Sequence, residues 1–148
     1  MVFAVWIGEN WKDVIENIGI IGGLFFTCRA FHIDARVRRG QTLLEMVKLH
    51  RELWTLYDEK PEIHGLFNPT RNLVVHPLTE EEVRFANFLF LHIRGAYQAN
   101  RAGIYRYPER LSEDLKDILL HPAMLAAWQK QRRLYDADFV TFVEKAAG

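Results

Sequence analysis

Apolar and polar positions divide the chain into unlike stretches. From Asn17 to Cys28 the sequence reads NIGIIGGLFFTC, without a formal charge, and the run extends over residues 14–33 once Glu16, Arg29 and His32 are admitted. Twelve helical residues rise about 18 Å, short of a hydrocarbon layer of roughly 30 Å, whereas about twenty nearly span it. As a transmembrane helix the segment needs Glu16 near one interface and Arg29 with His32 near the other, where long side chains snorkel outward. Trp6 and Trp11 then fall where an aromatic belt forms. As a cleaved signal peptide it fails, because the charged region before it is acidic and no small-x-small site follows. A buried helix of a soluble bundle is the next reading, and an interfacial helix the third. Gly19, Gly22 and Gly23 favour the bilayer, since each weakens a water-soluble helix by about 1 kcal/mol relative to alanine, while small residues let membrane helices approach closely.

The rest of the chain carries helical periodicity. Leu43, Met46, Val47, His50, Leu53, Trp54 and Tyr57 recur at steps of three and four over Gln41–Asp58, placing them on one helical face. This helix either starts near Gln41 or continues back through Arg36 into the apolar run, with Gly40 as a weak point. Pro61, Pro69 and Pro77 punctuate an irregular connection with one helical turn at Glu62–Phe67. Thr79-Glu80-Glu81-Glu82 is a capping box at a helix start, and that helix runs to about Ala102 with Gly103 as its stop. It is apolar over most of its girth, the mark of a central helix. Leu111, Leu115, Ile118 and Leu119 give a further amphipathic run ending at His121-Pro122. Ala123–Arg133 follows, and Asp136 or Asp138 caps a last helix with Phe139, Phe142 and Val143 inward. No alternating strand pattern of useful length occurs, so the fold class is all-α: an N-terminal hydrophobic helix over residues 1–40, then a bundle of four to five helices over 41–148.

Charge sharpens the N-terminal picture. The 148 residues hold nineteen basic and nineteen acidic side chains, for a net charge of zero, which argues against a nucleic-acid partner. The zero is unevenly laid out. Glu9, Asp13 and Glu16 against Lys12 make residues 1–16 acidic, whereas Arg29, Arg36, Arg38, Arg39, Lys48 and Arg51 outnumber Asp34 and Glu45. Arg36, Arg38 and Arg39 therefore mark a cytoplasmic end facing anionic headgroups, with the N-terminus outside. Cys28 is the single cysteine, which excludes an internal disulfide and a thiolate metal site.

Candidate chemistry is sparse. His50 and His92 both fall on apolar helical faces, where a facing pair could bind a metal or shuttle a proton; neither has a companion ligand at helical spacing, so hydrogen-bonded structural histidines are the simpler account. Arg71 and His76 have the Arg-Asn-x-x-x-His spacing of helical ribonuclease domains of the higher-eukaryote-and-prokaryote nucleotide-binding fold, with roles in phosphate stabilisation and proton transfer. The hexapeptide lies between two prolines and contains Leu-Val-Val, so it reads as extended chain rather than helix. Cys28 has only Arg29 to activate it as a nucleophile. Tyr97, Tyr105 and Tyr107 interleave with Arg94, Arg101, Arg106 and Arg110, a composition that suits RNA, anionic lipid or a solvated helix edge.

The stretches ENIGIIGGLFF (Glu16–Phe26), LHRELW (Leu49–Trp54), TEEEVRFANFLFLHIRGAYQANRAG (Thr79–Gly103), LSEDLKDIL (Leu111–Leu119) and DFVTFVE (Asp138–Glu144) resemble a bacterial family of uncharacterised small helical proteins. The resemblance covers nearly the whole chain and rests on helix-packing patterns. It implies an N-terminal membrane helix, a basic turn, a helical body and no active-site residues. The expectation is a single-pass inner-membrane protein with its body in the cytoplasm, acting by binding rather than catalysis. Its partners are the lipid bilayer and a second copy or another membrane protein, with helix packing at Gly19, Gly22 and Gly23 and no cofactor. The competing expectations are a soluble ribonuclease-like enzyme using Arg71 and His76, and a soluble helical dimerisation module.

Overall fold

The apolar run and the periodic stretch that follows it belong to one helix, α1 (Trp11–Glu59), which passes through Gly40 without a break. The computed structural model describes residues 11–104 and 108–148; Trp6, Glu9, Tyr105, Arg106 and Tyr107 lie outside the described residues, as do the side chains of Trp11 and Asp13. After α1 come a 3-10 helix (Pro61–Phe67), α2 (Glu80–Arg101), α3 (Pro108–Leu119), α4 (Pro122–Gln131), a 3-10 turn (Arg132–Leu134) and α5 (Ala137–Ala147). The described residues form no strand, and the protein is all-α. Two units separate after Gln41.

In the first unit, α1 presents its apolar side chains to the outside. Ile18, Ile20, Ile21, Leu24, Phe25, Phe26, Phe31 and Ile33 are all half to three-quarters exposed. At 100° per residue these positions cover most of the circumference rather than one stripe. An eighteen-residue stretch of this helix reaches mean hydropathy 1.3 with none of it buried. It is long and apolar enough to be a single membrane span.

The second unit has a packed core. Thr79 caps α2: its hydroxyl accepts from the Glu82 amide while the Glu82 carboxylate accepts from the Thr79 amide, the reciprocal box written in Thr79-Glu80-Glu81-Glu82. At the other end Gly103 takes φ +68°, the left-handed conformation that ends helices and suits glycine. Between these caps Phe85, Ala86, Leu89, Phe90, Ile93 and Ala96 are buried, and α2 packs against the first 3-10 helix, α3 and α4. It is the central helix, though Phe88 and Leu91 stay open on its outer side. Trp128 of α4 and Phe139 of α5 fill the core beside Phe90, with ring centroids 5.1 and 5.9 Å from Trp128. Asp136, not Asp138, caps α5, accepting from the Phe139 amide at 3.1 Å. The last turns of α1 close the core with Met46, Leu53, Leu56 and Tyr57.

Residues 71–76 form a turn rather than the extended chain that Leu-Val-Val suggests. The Asn72 side chain accepts from the Val74 amide at 2.9 Å, and the His76 amide donates to the Asn72 carbonyl at 2.9 Å. An Asx turn at Asn72 overrides β-branched propensity, and Val74 and Val75 are left exposed.

Candidate functional site

A cavity of about 740 Å³ opens in the second unit between the last turns of α1, α2 and α3. Helical spacing builds its walls: Leu43, Met46 and Val47 from α1, Leu89 and Ile93 from α2, Ile118 from α3. Four ionisable side chains line it, His50, His92, Asp114 and Asp117.

The two histidines expected on apolar faces meet here. His50 Nδ1 lies 3.3 Å from His92 Nε2, with ring centroids 5.3 Å apart. Trp54 Nε1 lies 3.0 Å from His50 Nε2. An indole N–H only donates, so His50 Nε2 must accept. The His50 proton then sits on Nδ1 and is donated to His92 Nε2, and His92 carries its own proton on Nδ1. One donor-only neighbour thus fixes both tautomers.

An N···N separation of 3.3 Å also matches two imidazoles on one edge of a tetrahedral metal, but among the described residues no group of three or more His, Cys, Asp or Glu side chains is placed to hold an ion. The hydrogen bond accounts for the pair by itself. Burial, and after it the neighbouring His50, hold the His92 imidazole below the ordinary histidine value. The unfolded chain gains its proton near pH 6.5, the folded chain only at lower pH. Between those points the unfolded state binds more protons, so stability falls as pH falls. The melting temperature of the protein is therefore expected to drop as pH is lowered from about 7.5 to about 5, and His92→Asn should flatten that slope. An unchanged slope in the variant would remove His92 from the account.

Arg71 and His76 are joined differently from a catalytic pair. The Arg71 guanidinium grips Glu82 with both terminal nitrogens, at 3.0 Å for Nη2 to Oε2. Its Nε donates to the His76 carbonyl at 3.1 Å and Nη2 to the Pro77 carbonyl at 2.9 Å. Four donor bonds are thus spent on a carboxylate and two backbone oxygens, and the side chains of the ion pair are 8% and 2% exposed. Such a guanidinium fastens the 71–79 connection onto the start of α2, and its charge is already neutralised. Burial alone would raise the Glu82 carboxyl; hydrogen bonds from Arg71 and Thr79 and the Arg71 charge outweigh it and hold the group below its ordinary value. Gly65 makes room for this pair. A Cβ there would stand 2.7 Å from Arg71 Nη1 and 2.9 Å from Glu82 Oε1.

In the first unit, a Cβ at Gly19, Gly22 or Gly23 would meet nothing within 4 Å, so no contact among the described residues requires these glycines. The Thr27 hydroxyl donates back to the Gly23 carbonyl at 2.8 Å, the i−4 bond that threonines within helices form. Arg36 and Arg39 are exposed, and Arg38 pairs with Asp34 at 2.7 Å. Cys28 is exposed.

Sequence reasoning missed Asp114 and Asp117 as cavity-lining groups and Trp54 as the group that orients His50. The available signal was LSEDLKDIL, in which the two acids flank the apolar stripe three residues apart. Comparison of the chain with known protein families, curated proteins and solved structures finds no match. No family is identified, and what stands of the expected resemblance is an all-helical chain with a long apolar N-terminal helix.

Proposed function

We propose that the protein is a single-pass membrane protein whose N-terminal helix anchors a cytoplasmic helical body and associates with a second copy, or another membrane helix, along its glycine face. The supporting observation is the apolar girth of α1. Its bulky side chains remain half to three-quarters exposed, and burying each would gain on the order of 1–2 kcal/mol. About ten such groups match the whole net stability of a domain, so they call for a cover, and lipid covers every side at once. A surface helix of a soluble bundle or an interfacial helix needs one apolar stripe only, and a central core helix that is apolar all round is covered by its own fold, as this stretch is not.

Gly19 and Gly23, four residues apart, share a strip with Thr27 and Ala30, the small-residue spacing that lets two membrane helices touch. The basic residues Arg36 and Arg39 favour the C-terminal side of the span as cytoplasmic. Cys28 lies about half a turn of the helix away from Gly19.

The single cysteine makes the test direct. The protein is expected to stay with membranes through alkaline carbonate extraction, and Cys28 to resist a membrane-impermeant maleimide until detergent is added. Oxidation should crosslink Ala30→Cys in a Cys28→Ser background and leave the wild-type Cys28 chain uncrosslinked. Release into the soluble fraction, or rapid labelling in intact membranes, would sink the anchor. Absence of the Ala30→Cys dimer together with a Cys28 dimer would sink the glycine face alone.

A further inference from the structure

The cavity of the second unit has a composition that selects a ligand class. Its volume of about 740 Å³ is that of a small-molecule site, commonly about 300–1,000 Å³ with apolar walls and few polar groups. No lysine or arginine lines it, whereas Asp114 and Asp117 do. Among the described residues neither aspartate has an ion-pair partner, although Glu82, Asp136, Asp138 and Glu144 of the same unit all do. His50 donates its ring N–H to His92, so the two histidines are satisfied by each other and by Trp54, and neither is paired with the acids. Apolar walls with two carboxylates repel an anion, leave a neutral apolar molecule without an anchor and complement a cation on an apolar body. Trp54 also lines the cavity, and an indole is the ring that attracts ammonium groups best.

We infer that this cavity binds an amphipathic organic cation, an amine on an aromatic or alkyl body, with Asp114 and Asp117 taking the charge and the Leu43–Met46–Val47 face of α1 taking the apolar part. Electrostatics gives selectivity and the walls give affinity. Two carboxylates near a protein surface suffice for about a tenfold preference for the cation over a neutral analogue.

The test uses the full chain in zwitterionic lipid nanodiscs, with empty nanodiscs as reference, and three probes sharing one ring system: 1-naphthylmethylamine, 1-naphthylmethanol and 1-naphthoate. Equilibrium dialysis is expected to rank the amine about tenfold above the alcohol, with the carboxylate weakest. The double variant Asp114→Asn, Asp117→Asn should bring the amine to the level of the alcohol and leave the alcohol unchanged. Val47→Trp replaces an exposed wall residue and should abolish binding of both while circular dichroism shows the helix content intact. Equal binding of the three probes, no binding of any, or an amine affinity untouched by the double variant would overturn the assignment. So would a dimer that Val47→Trp dissociates in a protein that binds no probe, since the groove would then belong to a second copy.

Discussion

Replacing Arg71 with alanine is expected to lower the stability of the protein by about 3–5 kcal/mol, the cost of leaving one partner of a buried ion pair without the other. The Glu82 side chain is 2% exposed and would keep only the Thr79 contacts of its cap. The carbonyls of His76 and Pro77 lose their donor in the same step. Thermal unfolding followed by circular dichroism should show a loss of roughly 10–20 °C for a unit of this size. Adding Glu82→Gln should recover much of the loss, because a neutral amide still accepts from the Thr79 amide and no charge is left buried.

The acid side separates this account from simple loss of packing. In the wild type Glu82 titrates below its ordinary value, so its contribution is complete above about pH 4.5 and disappears as pH falls through the folded value. Without Arg71 the carboxyl loses two of the interactions that lower it and rises relative to the wild type, with only the Thr79 hydrogen bonds left against burial. The folded state then takes up its proton at higher pH than in the wild type, and the loss of stability on acidification becomes shallower. A variant with the same acid slope as the wild type, or one that costs less than about 1 kcal/mol, would show that the pair does not bear on stability as argued.

Leu24→Arg is the second large effect expected. A charged residue at the centre of a transmembrane helix costs about 2.5–3.5 kcal/mol on insertion scales, and the lost leucine adds a few tenths. The ratio of carbonate-resistant to released protein should fall by about a hundredfold or more, while Leu24→Ile leaves it unchanged. Leu24 is well exposed and makes no core contact, so the same exchange on a water-facing helix would be neutral or would aid solubility. Equal membrane fractions for Leu24→Arg and wild type would remove the bilayer from the account.

What could be read from the sequence was local. The Thr79 box, the Gly103 stop, the Asp136 cap and the periodicity of Gln41–Asp58 all depend on residues within a few positions of one another, and the structure contains each of them. The apolar run was equally plain, because exposure around a whole helix needs no partner to be recognised. Contacts across the fold were not legible. His50 and His92 are 42 positions apart and Arg71 and Glu82 are 11 apart; periodicity places each on a face but does not say which faces meet. Arg71 invited a catalytic reading through its Arg-Asn-x-x-x-His spacing to His76, and only the fold reveals the carboxylate waiting for it. Asp114 and Asp117 passed unnoticed because acids beside an apolar stripe are the ordinary solvated edge of an amphipathic helix.

The Trp54–His50–His92 chain has one more property. A proton wire conducts only if each member can give up a proton on one side while regaining one on the other, so that donors and acceptors exchange roles along its length. The indole at one end is a donor that never accepts, and its bond to His50 Nε2 at 3.0 Å closes that end. A proton that arrived at His92 would find His50 already holding its own proton and no vacant acceptor beyond it. The hydrogen bonds along these three rings all run one way, from the indole to His92, and in that arrangement they hold the tautomers and the wall of the cavity in place.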